Sequence, residues 1–157
     1  MNLLNASWAF RASRPDDVER MYEVWRTSVV ATHDFLSADD FAEICDAVQQ
    51  NYLPNNRALV AVDNNDRVVG FMECHKAEIV SLFIHSEFRG KGVGREFVWR
   101  AASRWPMLSV SVNVQNAQAI GFYKAMGFIV GDISPIDDEG RPYPILQMHR
   151  SSPNMYK

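Results

Sequence analysis

The apolar positions change period several times along the chain, and each change marks an element. Val18, Met21, Tyr22, Trp25 and Val29 recur at the three- and four-residue spacing of a helix face, with Ser13 and Pro15 as start signals. Phe41, Ile44, Cys45, Val48 and Tyr52 repeat that spacing and are expected to form a second buried stripe. It opens at a capping box of Ser37 and Asp40 and is stopped by Pro54 and Asn55. Short apolar runs at 8–11, 59–62 and 68–72 read as strands, the last two joined through Asp63, Asn64, Asn65 and Asp66 as an antiparallel hairpin. A further strand at 79–84 precedes a helical pattern over 93–105, in which Val93, Phe97, Ala101 and Trp105 face inward and Pro106 blocks continuation. A strand at 108–112 follows, then a shorter helix over 117–126 closed by Gly127. Strands at 128–133 and 143–148 flank a turn from Asp137 to Gly140, where Asp137, Tyr143 and Pro144 either make that turn or shape a binding surface. The order is β-α-α-β-β-β-α-β-α-β-β, an α/β chain.

Chemistry concentrates where the strand at 79–84 meets the next helix. Arg89, Gly90, Lys91, Gly92, Val93 and Gly94 place three glycines at alternate positions, followed by Arg95. Glycine lets the backbone take positive φ and approach a ligand closely, while the unbonded amides of a helix start and nearby cations favour phosphate oxygens. The pattern predicts a ligand carrying a pyrophosphate. A P-loop would need Ser or Thr after Gly-Lys, but Gly92 follows Lys91. A dinucleotide fingerprint would need a third glycine at 95 or 97, which are Arg and Phe, and an acidic ribose partner that residues 113–117 do not offer.

The remaining pattern, Arg-x-x-Gly-x-Gly after a strand, resembles the coenzyme A pyrophosphate loop of the GNAT superfamily of N-acetyltransferases. A second segment is similar to the strand, helix and Gly-Phe turn that close the coenzyme A site there: Val112, Asn116, Ala119, Ile120, Tyr123, Gly127 and Phe128. The resemblance runs from about Trp8 to Arg150. It also takes in Ala31, Thr32, His33, Phe35 and Leu36, and Asp137, Gly140, Pro142, Tyr143 and Pro144, patterns associated with small bacterial single-domain members, uncharacterised or protein-acetylating. It implies a mixed sheet, acetyl-coenzyme A as the acetyl donor, and direct transfer to a primary amine in a ternary complex. That amine would be a lysine side chain, a protein N-terminus or a small molecule. A non-catalytic acyl-coenzyme A sensor is the alternative.

The resemblance also assigns roles. Backbone groups of Leu82, Phe83 and Ile84 would pair with the pantetheine amides, and Arg89, Gly90, Lys91, Gly92, Val93, Gly94 and Arg95 would hold the pyrophosphate. Asn116 would bond the pantetheine arm, as well as capping the helix that begins at Ala117. Tyr123 would protonate the departing thiolate, because a phenol with a reference pKa near ~10 keeps its proton at neutral pH. For removal of the ammonium proton the candidates are Glu78, Glu73 and His33, the last also a candidate acceptor contact.

Composition narrows the rest. A chain of 157 residues with 47% apolar content can bury one sizeable core, so a single domain is expected, with its core at about 8–150 and a frayed tail over 151–157. A net charge of −3 and a pI near 5.8 argue against nucleic acid and anionic membrane as partners. The N-terminal residues carry no signal-like pattern, and no apolar run approaches ~18 residues, so a cytoplasmic protein is expected. Cys45 and Cys74 lack paired spacing, and His33, His75, His85 and His149 lack the spacing of a helical zinc site, so no metal is implied. Trp99, on the outer face of its helix, is compatible with a monomer or a homodimer.

Overall fold

The computed structural model describes residues 8–151. Its elements are β1 (Ala9–Ala12), α1 (Val18–Thr32), α2 (Ala38–Ala47), a single turn α3 (Leu53–Asn55), β2 (Leu59–Val62), β3 (Val68–His75) and β4 (Glu78–Ile84). They continue as α4 (Val93–Arg104), β5 (Met107–Asn113), α5 (Ala117–Ala125), β6 (Ile129–Ser134) and β7 (Ile145–Ser151). The seven strands are ordered β1-β2-β3-β4-β5-β7-β6 in one mixed sheet. Only β4 and β5 are recorded as parallel among the strand pairs described, Glu78 lying opposite Ser109 and Ile79 opposite Val110.

The chain divides into two compact units. Among the described residues, one comprises those as far as Glu73 with Ser81–Glu96, the other Cys74–Val80 with those from Phe97 to Ser151. In the first, Met21, Val24, Trp25 and Val29 of α1 pack with Leu53, Val60, Val62, Val68 and Phe71, which is the helical spacing of α1 laid on the inward side chains of β2 and β3. Ser37 caps α2 by accepting the Asp40 N–H at 3.1 Å. The α2 stripe departs from expectation: Phe41, Ile44, Cys45, Val48 and Tyr52 are only half-buried, although they pack against that cluster. The helix does not stop cleanly before Pro54 either. Residues Val48–Tyr52 widen into a π turn in which Leu53 N–H donates to Val48 O, and Leu53 is thereby carried into the core at 3% exposure.

In the second unit β5 lies antiparallel to β7 along its whole length, from Met107 opposite Ser151 to Asn113 opposite Ile145. Leu108, Val110, Val112, Leu146 and Met148 are buried at alternate positions, as one covered sheet face requires. Ser151 is thus a strand residue and not the start of a frayed tail; residues 152–157 lie outside the described part. Tyr143 and Pro144 belong to the approach to β7, not to the strand. Trp105, read as inward, is half-buried just beyond α4, and Trp99 is exposed as expected.

Candidate active site

The glycine loop joins the 3₁₀ turn Ser86–Phe88 to α4. Gly90 and Gly92 have φ of +75° and +88°, and a Cβ built on either would meet nothing within 4 Å. The loop therefore needs glycine for its conformation and keeps open space where side chains would otherwise stand. The first helical bond is Glu96 N–H to Gly92 O at 3.1 Å, so the amides of Val93 and Gly94 precede the intrahelical ladder. Val93 anchors that turn at 1% exposure. Arg89 is half-buried, and burial pushes its guanidinium below the usual arginine range. The Lys91 ammonium stands 5.8 Å from the centroid of the Phe88 ring. A cradle of open backbone beside the cations Arg89 and Lys91 suits a pyrophosphate, so the residues present fit coenzyme A.

Leu82, Phe83 and Ile84 are half-buried at the end of β4. Phe83 turns to the core cluster, its ring centroid 5.7 Å from that of Phe71. Beside them is a cluster that sequence reasoning missed. The Tyr52 hydroxyl donates to Glu73 Oε1 at 3.0 Å and lies 3.2 Å from Ser81 Oγ, and burial together with the Glu73 charge pushes this phenol up to about 12. Its partners are 21 and 29 residues away, so no local signal could have found it. Glu73 is thus held by a tyrosine. His33 caps the C-terminus of α1, with its N–H on Val29 O at 2.7 Å and its Nδ1 2.7 Å from the Thr32 hydroxyl; burial lowers its pKa against the opposing pull of Asp34.

In the second unit, Asn116 is buried and accepts the Ala119 N–H at 3.1 Å, the expected cap of α5. Two turns on, Tyr123 is 6% exposed, wedged edge-on between Phe122 and Phe128 at 5.1 and 5.2 Å. Burial, with a smaller contribution from Cys74, raises its pKa well above the usual phenol range. Its hydroxyl has no hydrogen-bond partner among the described residues. Glu78 is half-buried at the start of β4. No group of three His, Cys, Asp or Glu side chains among the described residues could hold a metal ion. None of the described helices is long and apolar enough to cross a membrane.

Known proteins match these features. Residues 54–130, from α3 into β6, match the model of the acetyltransferase (GNAT) domain. The chain is 45% identical over 140 residues to the peptidyl-lysine N-acetyltransferase YjaB of Escherichia coli K12, an alignment spanning 89% of this chain and 95% of that protein. The solution structure of apo YjaB from Escherichia coli superposes with a TM-score of 0.88 at 43% identity, covering 93% of this chain and 99% of that one. At 22% identity, PaiA N-acetyltransferase from Thermoplasma acidophilum, solved with coenzyme A, shares the fold with a TM-score of 0.72 over 92% of this chain and 99% of its own. The chain belongs to the GNAT family of acetyltransferases. It is an N-acetyltransferase that uses acetyl-coenzyme A, and the family expectation drawn from residues 89–94 and 112–128 holds.

Proposed function

We propose that the acceptor is a lysine side chain of a protein or peptide, and that the two units serve it as one acetyltransferase domain in the cytoplasm. Both units are discontinuous in sequence and the family match crosses from one to the other, which supports a single functional domain. The relative named for peptidyl-lysine, alike over nearly the full length of both chains, supports the acceptor class.

The site supplies matching chemistry. Gly90, Gly92, Val93 and Gly94 offer backbone and Arg89, Lys91 and Arg95 offer charge to hold the pyrophosphate, with Leu82, Phe83, Ile84 and Asn116 along the pantetheine. When bound, the cofactor supplies an acetyl thioester. Lysine, with a reference pKa near ~10.4, must lose a proton before its nitrogen can attack, and Glu78 is the carboxylate we assign to that step. His33 and Glu73 already serve structural hydrogen bonds, which leaves Glu78 the candidate least committed elsewhere. Tyr123 protonates the departing sulfur. The observation that carries this reading is the Tyr123 hydroxyl itself: a buried ring, a raised pKa that keeps the proton in place, and no partner among the described residues that would occupy it. No observation favours the sensing alternative.

Coenzyme A release, measured with a lysine-containing peptide, a peptide whose only amine is its N-terminus, and small polyamines, tests the acceptor. Mass spectrometry of the products should place the acetyl group on Nε of lysine. Turnover confined to small amines or N-termini would overturn the lysine assignment.

A further inference from the structure

His85 lies one residue past β4, 5% exposed, and is the residue on which the approach to the glycine loop is hung. Its backbone N–H donates to Val69 O at 2.9 Å, which fixes it to β3, and its carbonyl accepts the Phe88 N–H at 2.8 Å. Its ring Nδ1 accepts the Glu87 N–H at 3.1 Å. Two successive amides of the Ser86–Phe88 turn therefore end on one residue. The third, Ser86 N–H, donates to Thr27 Oγ1 of α1 at 3.2 Å.

Phe88, the last residue of this turn, meets the His85 ring edge-on at 5.9 Å and Trp8 at 5.7 Å, and the Lys91 ammonium sits over it. Rotating the turn would move the ring under Lys91 and redirect the chain at Arg89. Asparagine at position 85 would close the same loop through Oδ1, the ordinary Asx turn. Histidine does so only while Nδ1 is unprotonated.

We infer that His85 is a positioning residue for cofactor binding: its unprotonated Nδ1 holds the turn that presents Arg89, Lys91 and the open backbone of Gly90 and Gly92 to the pyrophosphate. This rests on reading residues 89–95 as the pyrophosphate loop.

The charged surroundings give the role a pH dependence. From α1, Arg20 and Glu23 face the ring, with Glu23 Oε1 3.9 Å from Nε2; Arg67 approaches from the β2–β3 turn and Glu87 from the ring's own turn. Burial and the two arginines outweigh the two glutamates, so the neutral ring is favoured to below the ordinary histidine value of 6.5. Nε2, facing Glu23, carries the proton of that neutral ring. A second proton must go on Nδ1, where it replaces the acceptor of the Glu87 N–H by a donor and opens the turn. The loop is held at neutral pH and released as pH falls.

Calorimetric titration of coenzyme A into the wild type, His85→Asn, His85→Phe and Gly92→Glu, at about pH 7.5 and about pH 5.5, tests this. His85→Asn keeps the acceptor and removes the titration, so at neutral pH it should bind as the wild type does. On acidification the wild type should lose about threefold more affinity than His85→Asn, which also corrects for titration of the cofactor's own phosphates. His85→Phe, a ring without an acceptor, should bind about 10-fold more weakly at neutral pH, with the pH response of His85→Asn. Identical pH responses of the wild type and His85→Asn, or wild-type affinity in His85→Phe, would overturn the inference. If His85→Phe does not fold, the comparison of wild type and His85→Asn decides alone. Unaltered binding in Gly92→Glu would show that the loop assignment itself had failed, taking the inference with it; weakened binding there, with no His85 effect, would remove only the role of His85.

Discussion

Gly92 and Gly127 are both left-handed glycines beside a helix, with φ of +88° and +94°, yet their surroundings are opposite. Past Gly92 a Cβ would enter open space. At Gly127 it would come 3.5 Å from Arg150 Nε, which is itself donating to Met126 O at 2.9 Å. The Gly127 turn is closed by its own chain: its N–H reaches Lys124 O at 3.0 Å, and Phe128 N–H reaches Tyr123 O at 2.9 Å. One glycine ends a helix and has its hydrogen bonds spent on doing so. The other opens a helix and leaves amides and space for something outside the chain. The same residue in the same backbone region thus serves stability in one place and recognition in the other, and only the neighbours tell which.

Tyr123 sharpens the contrast, since its carbonyl belongs to the closed turn while its hydroxyl is unbonded among the described residues. Tyr123→Phe should keep the ring between Phe122 and Phe128, along with cofactor affinity and melting temperature. We expect kcat to fall roughly 10²-fold, the lower range for loss of general acid catalysis. Wild-type turnover with a good lysine acceptor would make Tyr123 a packing residue only.

At the open glycine, Gly92→Glu brings backbone strain of about 1–2 kcal/mol and a negative charge next to the proposed phosphate position. Coenzyme A affinity should fall about 30-fold, while the midpoint of urea unfolding is lowered only by that strain because nothing packs there. A large loss of stability with intact binding would invert the comparison. Gly127→Ala should share the loss of stability and spare binding. Holding alanine at φ of +94° costs about 1 kcal/mol of folding stability, read from the urea midpoint, and coenzyme A affinity should stay within twofold.

What was legible in the sequence follows the same division. Caps and stops involve residues three or four apart, so Ser37, Asn116 and Gly127 could be assigned roles that the hydrogen bonds confirm. The order of elements was legible because helical and strand periods alternate cleanly. Burial was less so: the α2 stripe has helical spacing but is half-exposed, and β6 carries Ile129, Val130 and Ile133, more than half exposed on an edge strand, because periodicity reports a face and not what covers it. The glycine loop could be read as anion-binding from residue types alone. His85 could not, since its importance lies in bonds to Val69 and Glu87 and in a ring contact with Phe88, and a histidine before a turn carries no signature. Tyr52 and Glu73 were each singled out in the sequence, but their contact with one another and with Ser81 was invisible because folding alone brings them together.

The smallest effect is expected where the pH response of the loop and that of the fold are compared. Asp17 is paired with Arg11 through bonds of 2.8 and 3.0 Å and accepts the Arg14 N–H at 2.7 Å; the Arg11 bond, opposed by burial, holds its carboxyl below the ordinary value of 3.8. A carboxyl depressed in the folded state contributes stability that is complete above its unfolded value and is lost as pH falls through the folded one. From this pair, therefore, unfolding free energy should be flat between about pH 7 and about pH 5 and decline only below 3.8. His85 must titrate well before that point if it loosens the glycine loop. Measured side by side, urea midpoints should decline below pH 6.5, because the folded state holds His33 and His85 neutral, and His85→Asn should lose less stability there than the wild type while its coenzyme A affinity does not fall. Should wild-type affinity fall while the wild type and His85→Asn lose stability equally, the group that releases the loop would not be His85.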